Sequence, residues 1–154
     1  MSALESGVFE TNCEQETIDL GRRIAASLPS RAVILLIGNL GAGKTTLAKG
    51  IVSGLGAGEP DEVSSPTFTL IHEYGIHGSG GVANRARVYH IDLYRLDRAE
   101  QVATLGLDEI FDRDAVVLIE WGERFPQLMP AERIEIRLTA LDDDRRNIEV
   151  VDCN

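Results

Sequence analysis

The sequence predicts an α/β fold: a mixed sheet, parallel in its centre, with antiparallel additions and helices packed against it. Three observations carry that expectation. The runs Ala32 to Ile37 and Ala115 to Ile119 are apolar without alternation, as strands covered on both faces are. Thr45 to Val52, with apolar residues at helical spacing, follows the first run after a short glycine-rich turn. Elsewhere, short segments alternate apolar and polar residues around turn-forming clusters, the mark of antiparallel pairs.

Taken in order, Asn12 to Leu28 reads as a first helix. Asn12 can cap it with Gln15 as reciprocal partner, and Cys13, Thr17, Leu20, Ile24 and Leu28 share a face. Pro29 marks its end. The strand Ala32 to Ile37 and the helix after it come next, and Gly54-Leu55-Gly56 closes that helix. Asp61 to Pro66 is a polar loop. Thr67 to Tyr74 alternates, with Phe68, Leu70, His72 and Tyr74 on one side, and Val88 to Arg95 is a second extended segment. The glycine-containing stretch Gly75 to Arg87 between them reads as a hairpin loop. Asp97 can cap a short helix with Glu100 as its partner. Arg133 to Leu138 and Asn147 to Val151 form a closing hairpin around Asp142-Asp143-Asp144.

No repeat, low-complexity tract or linker divides the 154 residues, so 1–154 reads as a single domain. The apolar runs are too short to cross a bilayer. Met1 to Ser6 shows neither the basic nor the apolar segment of a secretory signal. Cys13 and Cys153 form no C-x-x-C pair and imply no disulfide or metal framework. A reducing cytoplasm is the expected compartment. Acidic residues outnumber basic ones 25 to 15, giving a net charge of −10. Tight nucleic-acid binding rests mainly on Lys and Arg neutralising phosphates, so this chain alone is not expected to hold nucleic acid strongly.

Gly38-Asn39-Leu40-Gly41-Ala42-Gly43-Lys44-Thr45 matches the phosphate-binding pattern G-x-x-x-x-G-K-[ST] at every fixed position. The context is the one the chemistry requires. A buried strand delivers the loop, glycines let its backbone curl so that several N–H groups face one phosphate, and a helix N-terminus adds partial positive charge. Lys44 would reach the outer phosphates and the Thr45 hydroxyl would ligate Mg²⁺. The expected domain is therefore a three-layer one like the P-loop NTPases.

A bound triphosphate needs Mg²⁺ to offset its charge, and Mg²⁺ takes oxygen ligands from only one or two carboxylates. Glu120 follows the strand Ala115 to Ile119, where a Walker B acid is expected; a surface carboxylate is the alternative. Asp92 shares a strand face with His90 and Tyr94, which leaves it a water-mediated Mg²⁺ ligand, a group that orients the attacking water, or a solvated residue. Ser64-Ser65-Pro66-Thr67 could offer hydroxyls to a γ-phosphate from a switch-like loop, or serve only as turn residues.

Four segments together resemble the TsaE (YjeE) family of bacterial P-loop ATPases. They are Gly38 to Thr46, Ser65-Pro66-Thr67-Phe68-Thr69-Leu70, His90-Ile91-Asp92-Leu93-Tyr94-Arg95-Leu96 and Ile119-Glu120-Trp121, in the family's order and at similar spacing over nearly the whole chain. The resemblance implies an accessory ATPase in the formation of threonylcarbamoyladenosine in tRNA. It would bind a TsaB–TsaD heterodimer and reset that complex by hydrolysing ATP, with tRNA contacts left to the partners. It implies nucleotide binding by Gly38 to Thr46 and Mg²⁺ held by Thr45 and Glu120. Lys44 would stabilise phosphate charge and Asp92 would assist hydrolysis. Trp121 would lie beside the site, and Ser65 and Thr67 are candidate switch or site-lining residues. Two departures from the family pattern stand out: Asn39 replaces its usual Asp, and the Gly75–Arg87 loop is long. A small-molecule kinase and a nucleotide-gated assembly switch without essential hydrolysis are the competing expectations. No N-K-x-D guanine signature supports a GTPase.

Overall fold

A computed structural model describes residues 6–66, 69–75 and 87–153. Among the described residues, seven strands form one sheet in the order β1-β7-β6-β2-β5-β4-β3. They are β1 (Gly7–Thr11), β2 (Ala32–Ile37), β3 (Ile71–Tyr74), β4 (Val88–Asp92), β5 (Val116–Glu120), β6 (Arg133–Ala140) and β7 (Arg146–Cys153). The central strands β6, β2, β5 and β4 run parallel, and β1, β7 and β3 are added antiparallel. The mixed, centrally parallel sheet and its antiparallel additions are as the sequence predicts.

β2 and β5 are unbroken apolar runs because both their faces are covered. On one face lie α1 (Glu14–Ala26) and α2 (Lys44–Gly54), whose Leu20, Ile24, Leu47 and Ile51 pack against Ile34, Leu36 and Leu118. On the other lie the short helices α3 (Ala99–Ala103) and α4 (Leu107–Phe111), whose Val102, Leu107 and Ile110 pack against Val33, Leu35, Val117 and Ile119. The result is three layers. Within α2, Leu47, Ala48, Ile51 and Val52 are fully buried, a stripe at i, i+1, i+4 and i+5 that fixes the helix on the sheet. Each large one contributes about 1.5–3 kcal/mol. α1 crosses α2 at Gly21 and Gly50, where the backbones approach so closely that a Cβ on Gly50 would overlap the Ile18 carbonyl oxygen. No described helix is long and apolar enough to cross a membrane.

Local expectations are corrected at four places. The strand β1 precedes the first helix, and that helix spans Glu14–Ala26 rather than Asn12 to Leu28. Its start is not capped by the Asn12 side chain with Gln15. Instead Glu16 Oε1 accepts the Asn12 backbone N–H at 2.8 Å, because a carboxylate in the first turn meets both that donor and the helix dipole. Around α3, Gln101 rather than Glu100 reaches back, its Oε1 accepting the N–H groups of Asp97 and Arg98 at 3.1 Å each. The alternation expected from Thr67 to Tyr74 holds only for β3. Leu70 takes a left-handed φ of 70° and its N–H closes a turn on Pro66, which breaks the two-residue period. Thr67, Phe68 and most of the Gly75–Arg87 loop lie outside the described residues.

Candidate functional site

The loop Gly38 to Gly43 leaves the carboxyl end of β2 and enters α2 through Gly43, whose φ of 101° excludes most other residues. The first helical bond of α2 runs from Leu47 N–H to the Gly43 carbonyl at 2.9 Å. The N–H groups of Lys44, Thr45 and Thr46 therefore have no partner within the helix and define an anion-facing end.

Beside them opens a cavity of about 340 Å³ lined by Leu40, Gly41, Gly43, Lys44, Thr45 and Thr46 from the loop and α2, by Ser65, by Asp92 and Tyr94, by Glu120 and Trp121, and by Arg146. Of the loop residues expected to bind nucleotide, Gly38, Asn39 and Ala42 do not line it. They face a neighbouring groove with Arg137, Leu138, Thr139 and Ala140. A larger cleft, about 770 Å³, lies at the amino end of β2 among Arg31, Phe111 and Met129. Ligands of open α/β sheets bind at the carboxyl ends of the strands, so the smaller cavity is the candidate site.

Strand register assembles the acids. Asp92 and Glu120 are partners across the parallel β4–β5 ladder, each the last residue of its strand and each nearly inaccessible. The Thr45 hydroxyl lies 3.4 Å from Glu120 Oε2. Asp92 is held on both oxygens: Ser65 Oγ donates to Oδ2 at 2.9 Å and the Tyr94 N–H donates to Oδ1 at 2.8 Å. A hydroxyl and two carboxylates lining one cavity beside a helix N-terminus are the hard oxygen donors that Mg²⁺ takes, so the residues present fit that ion.

Lys44 is buried. Its Nζ donates to the Gly38 carbonyl at 2.7 Å and sits 3.7 Å from the centre of the Trp121 ring. Burial pulls its ammonium below the ordinary 10.5, against the opposing pull of Glu120, Glu123 and Asp92. A desolvated cation on an aromatic face is attracted by about 2 kcal/mol, enough to hold Lys44 over the cavity. Trp121 adopts a left-handed φ of 69° directly after β5, which turns its ring toward the site.

Several residues in or beside the cavity are given no role by the sequence. Arg124 Nη2 donates to the carbonyls of Leu93, Tyr94 and Leu96 at 2.6–2.9 Å while its guanidinium lies 5.4 Å from the Trp121 ring. It thereby ties the turn after Asp92 to the turn after Glu120. Tyr94 leaves the strand face it was expected to share with His90 and Asp92, and its ring tilts against Trp121 at 5.2 Å. Arg146, from the far end of the β6–β7 hairpin, donates to the Gly41 carbonyl at 3.2 Å. Glu123 has a buried Oε1 with no hydrogen-bond partner among the described residues, and burial pushes its carboxyl above the ordinary 4.5. His90, fully buried, touches Glu120. Its place two residues before Asp92, on the same strand face, was the available signal; for Arg124 and Arg146 none existed.

A family model described as threonylcarbamoyl adenosine biosynthesis protein TsaE matches residues 11–148. Among curated proteins named tRNA threonylcarbamoyladenosine biosynthesis protein TsaE, the one from Haemophilus influenzae is 40% identical over 119 residues, 77% of this chain and 69% of that one. The Nostoc protein is 39% identical over 145 residues, 92% of this chain and 83% of its own length. The Bacillus subtilis protein is 40% identical over 134 residues, 87% and 78% of the two chains. The crystal structure of Bacillus subtilis YdiB superposes on 100% of this chain and 90% of that one, with a TM-score of 0.75 at 31% identity.

Proposed function

The chain belongs to the TsaE family, and on that premise we propose that it is the ATP-binding and ATP-hydrolysing accessory subunit of the machinery that makes threonylcarbamoyladenosine in tRNA. Its hydrolysis drives turnover of a TsaB–TsaD transferase in the cytoplasm, and it meets tRNA only through those partners. The observation that supports the reading best is the convergence of the α2 N-terminus, Lys44, Thr45, Asp92 and Glu120 on one cavity at the carboxyl end of the sheet. The net charge of −10 fits a subunit that leaves tRNA contacts to its partners.

Each residue has a role in that reading. The amides of Lys44, Thr45 and Thr46 receive the phosphates, and the Lys44 ammonium stabilises charge on their outer oxygens. Thr45 and Glu120 hold Mg²⁺, which when bound offsets charge on the β- and γ-phosphates. Asp92, fixed by Ser65 and Tyr94, orients the attacking water. Trp121 closes one wall of the cavity beside Lys44.

Lys44→Ala tests the reading. Loss of a charged donor to a transition-state oxygen lowers ATP turnover by about 10²-fold. Adding TsaB–TsaD raises the wild-type rate, since a lone subunit lacks part of its catalytic set until docked. Near-normal turnover in Lys44→Ala contradicts the site, and a rate unmoved by the heterodimer contradicts the accessory role.

A further inference from the structure

His90, beside Glu120 but not among the residues that line the cavity, is enclosed with no accessible surface. It pairs with Leu118 in the β4–β5 register, two positions before the Asp92–Glu120 pair and on the same face, so its ring reaches diagonally across the ladder to the Glu120 carboxylate. Nε2 lies 2.7 Å from Glu120 Oε2. Nδ1 is buried and has no hydrogen-bond partner among the described residues.

That asymmetry assigns the tautomer. With the proton on Nδ1, the Nε2 lone pair would face a carboxylate oxygen at 2.7 Å, and Nδ1–H would be a buried donor without an acceptor. With the proton on Nε2, the short contact is a hydrogen bond to a carboxylate, and only a weak acceptor is left unpaired.

Glu120 Oε2 therefore receives two donors, His90 Nε2–H and the Thr45 hydroxyl at 3.4 Å from the side of the loop. The terminal torsion of a glutamate is otherwise broad, so a carboxylate without these contacts samples many orientations. Resting on the reading that Thr45 and Glu120 hold the nucleotide's Mg²⁺, we infer that His90 is a positioning residue for the metal end of the site: its Nε2–H grips Glu120 Oε2, sets the carboxylate against the Thr45 hydroxyl, and so raises the affinity for Mg²⁺ without touching nucleotide or metal. Outer partners of metal-ligating groups commonly contribute 10–100-fold to metal affinity. A histidine serving only to fill the core would contribute to folding alone.

The test titrates Mg²⁺ into the full-length protein with ADP present, read by calorimetry or by fluorescence of Trp121, the only tryptophan. His90→Leu keeps apolar bulk and removes the donor. It shifts the Mg²⁺ concentration for half-maximal enhancement of ADP binding upward by about 10–100-fold, while ADP affinity in excess chelator stays within about twofold. His90→Gln, whose amide nitrogen reaches the Nε2 position, restores most of the wild-type midpoint. Should His90→Leu fail to fold, His90→Asn replaces it: its amide falls at the Nδ1 position, short of Glu120, so it shows the shift that Gln does not. A wild-type midpoint in the donor-lacking variant, an equal loss of metal-free ADP affinity, or a Gln variant no better than Leu or Asn each overturns the inference. A wild-type protein that binds ADP identically with and without Mg²⁺ instead overturns the assignment of Thr45 and Glu120 as metal ligands.

Discussion

Glu120→Gln separates the charge of the carboxylate proposed to hold Mg²⁺ from its shape. Glutamine keeps the chain length and one oxygen to accept the His90 Nε2–H, so the 2.7 Å contact survives as a neutral hydrogen bond. Exchanging a charge-assisted bond for a neutral one costs about 1 kcal/mol. Against this, Glu120 and Asp92 end adjacent strands, whose backbones are about 4.8 Å apart. Removing one of two buried like charges returns a similar amount. Without ligand, the melting temperature of this 154-residue chain thus changes by no more than about 2–4 °C, the equivalent of about 1 kcal/mol. Ligand changes the picture. Wild-type protein at about 100 times the Kd of Mg²⁺·ATP gains about 2.7 kcal/mol, or about 5–10 °C. If loss of the ligating charge weakens that complex by about 100-fold, the same concentration sits near the Kd and leaves about 0.4 kcal/mol, or about 1 °C. Thermal melts with ATP, run once with Mg²⁺ and once with chelator, read both arms. The Mg²⁺-dependent shift collapses in the variant and the chelator arm matches wild type. A full Mg²⁺-dependent shift in Glu120→Gln would remove Glu120 from the metal site.

Two further substitutions probe the frame that holds the site. Gly50→Ala places a Cβ against the Ile18 carbonyl oxygen and about 3.0 Å from Gly21 Cα, prising α1 from α2. Overpacking of this kind costs about 1–3 kcal/mol and exceeds the gain in helix propensity, so the melting temperature falls by several degrees; an unchanged melt would contradict the close helix crossing. Glu135 is the buried charge of β6. Burial pushes its carboxyl up, but hydrogen bonds from Arg137 at 2.6 Å and Arg133 at 2.8 Å outweigh that and hold it below the ordinary 4.5. Its folded-state value lies below its unfolded one, so its stabilisation is complete above pH 4.5 and is lost as pH falls through the folded value. Glu135→Gln therefore costs about 1–2 kcal/mol in urea unfolding at neutral pH, a deficit that fades well below pH 4.5; a deficit constant with pH would point to packing instead.

What the sequence showed and what it hid follow from how local each interaction is. β2, the loop and α2 were legible because the strand, the glycines and the Leu47–Val52 stripe lie within about twenty consecutive residues, each obeying one periodicity. Glu120 was legible as the polar end of an apolar run. β1 was not, since Val8 and Glu10 face solvent and its pairing partner β7 lies at the other end of the chain. The left-handed turn at Leu70 cannot be read from a residue type that avoids it. Arg146 reaches the Gly41 carbonyl across 105 positions, and Arg124 gathers three carbonyls 28 to 31 positions away. Such contacts follow from the folded topology and leave no spacing to find. His90 stood between: its face was evident from strand alternation, but its contact with Glu120 depends on the β4–β5 register.

The most direct measurement is calorimetric titration of ATP into the intact protein with Mg²⁺ present, alongside Lys44→Ala. One binding event per wild-type chain, strongly weakened in the variant, is the expected outcome. Absence of binding heat from ATP or ADP in the wild-type protein, even with TsaB–TsaD supplied, would contradict a nucleotide site at the α2 N-terminus and the function built on it.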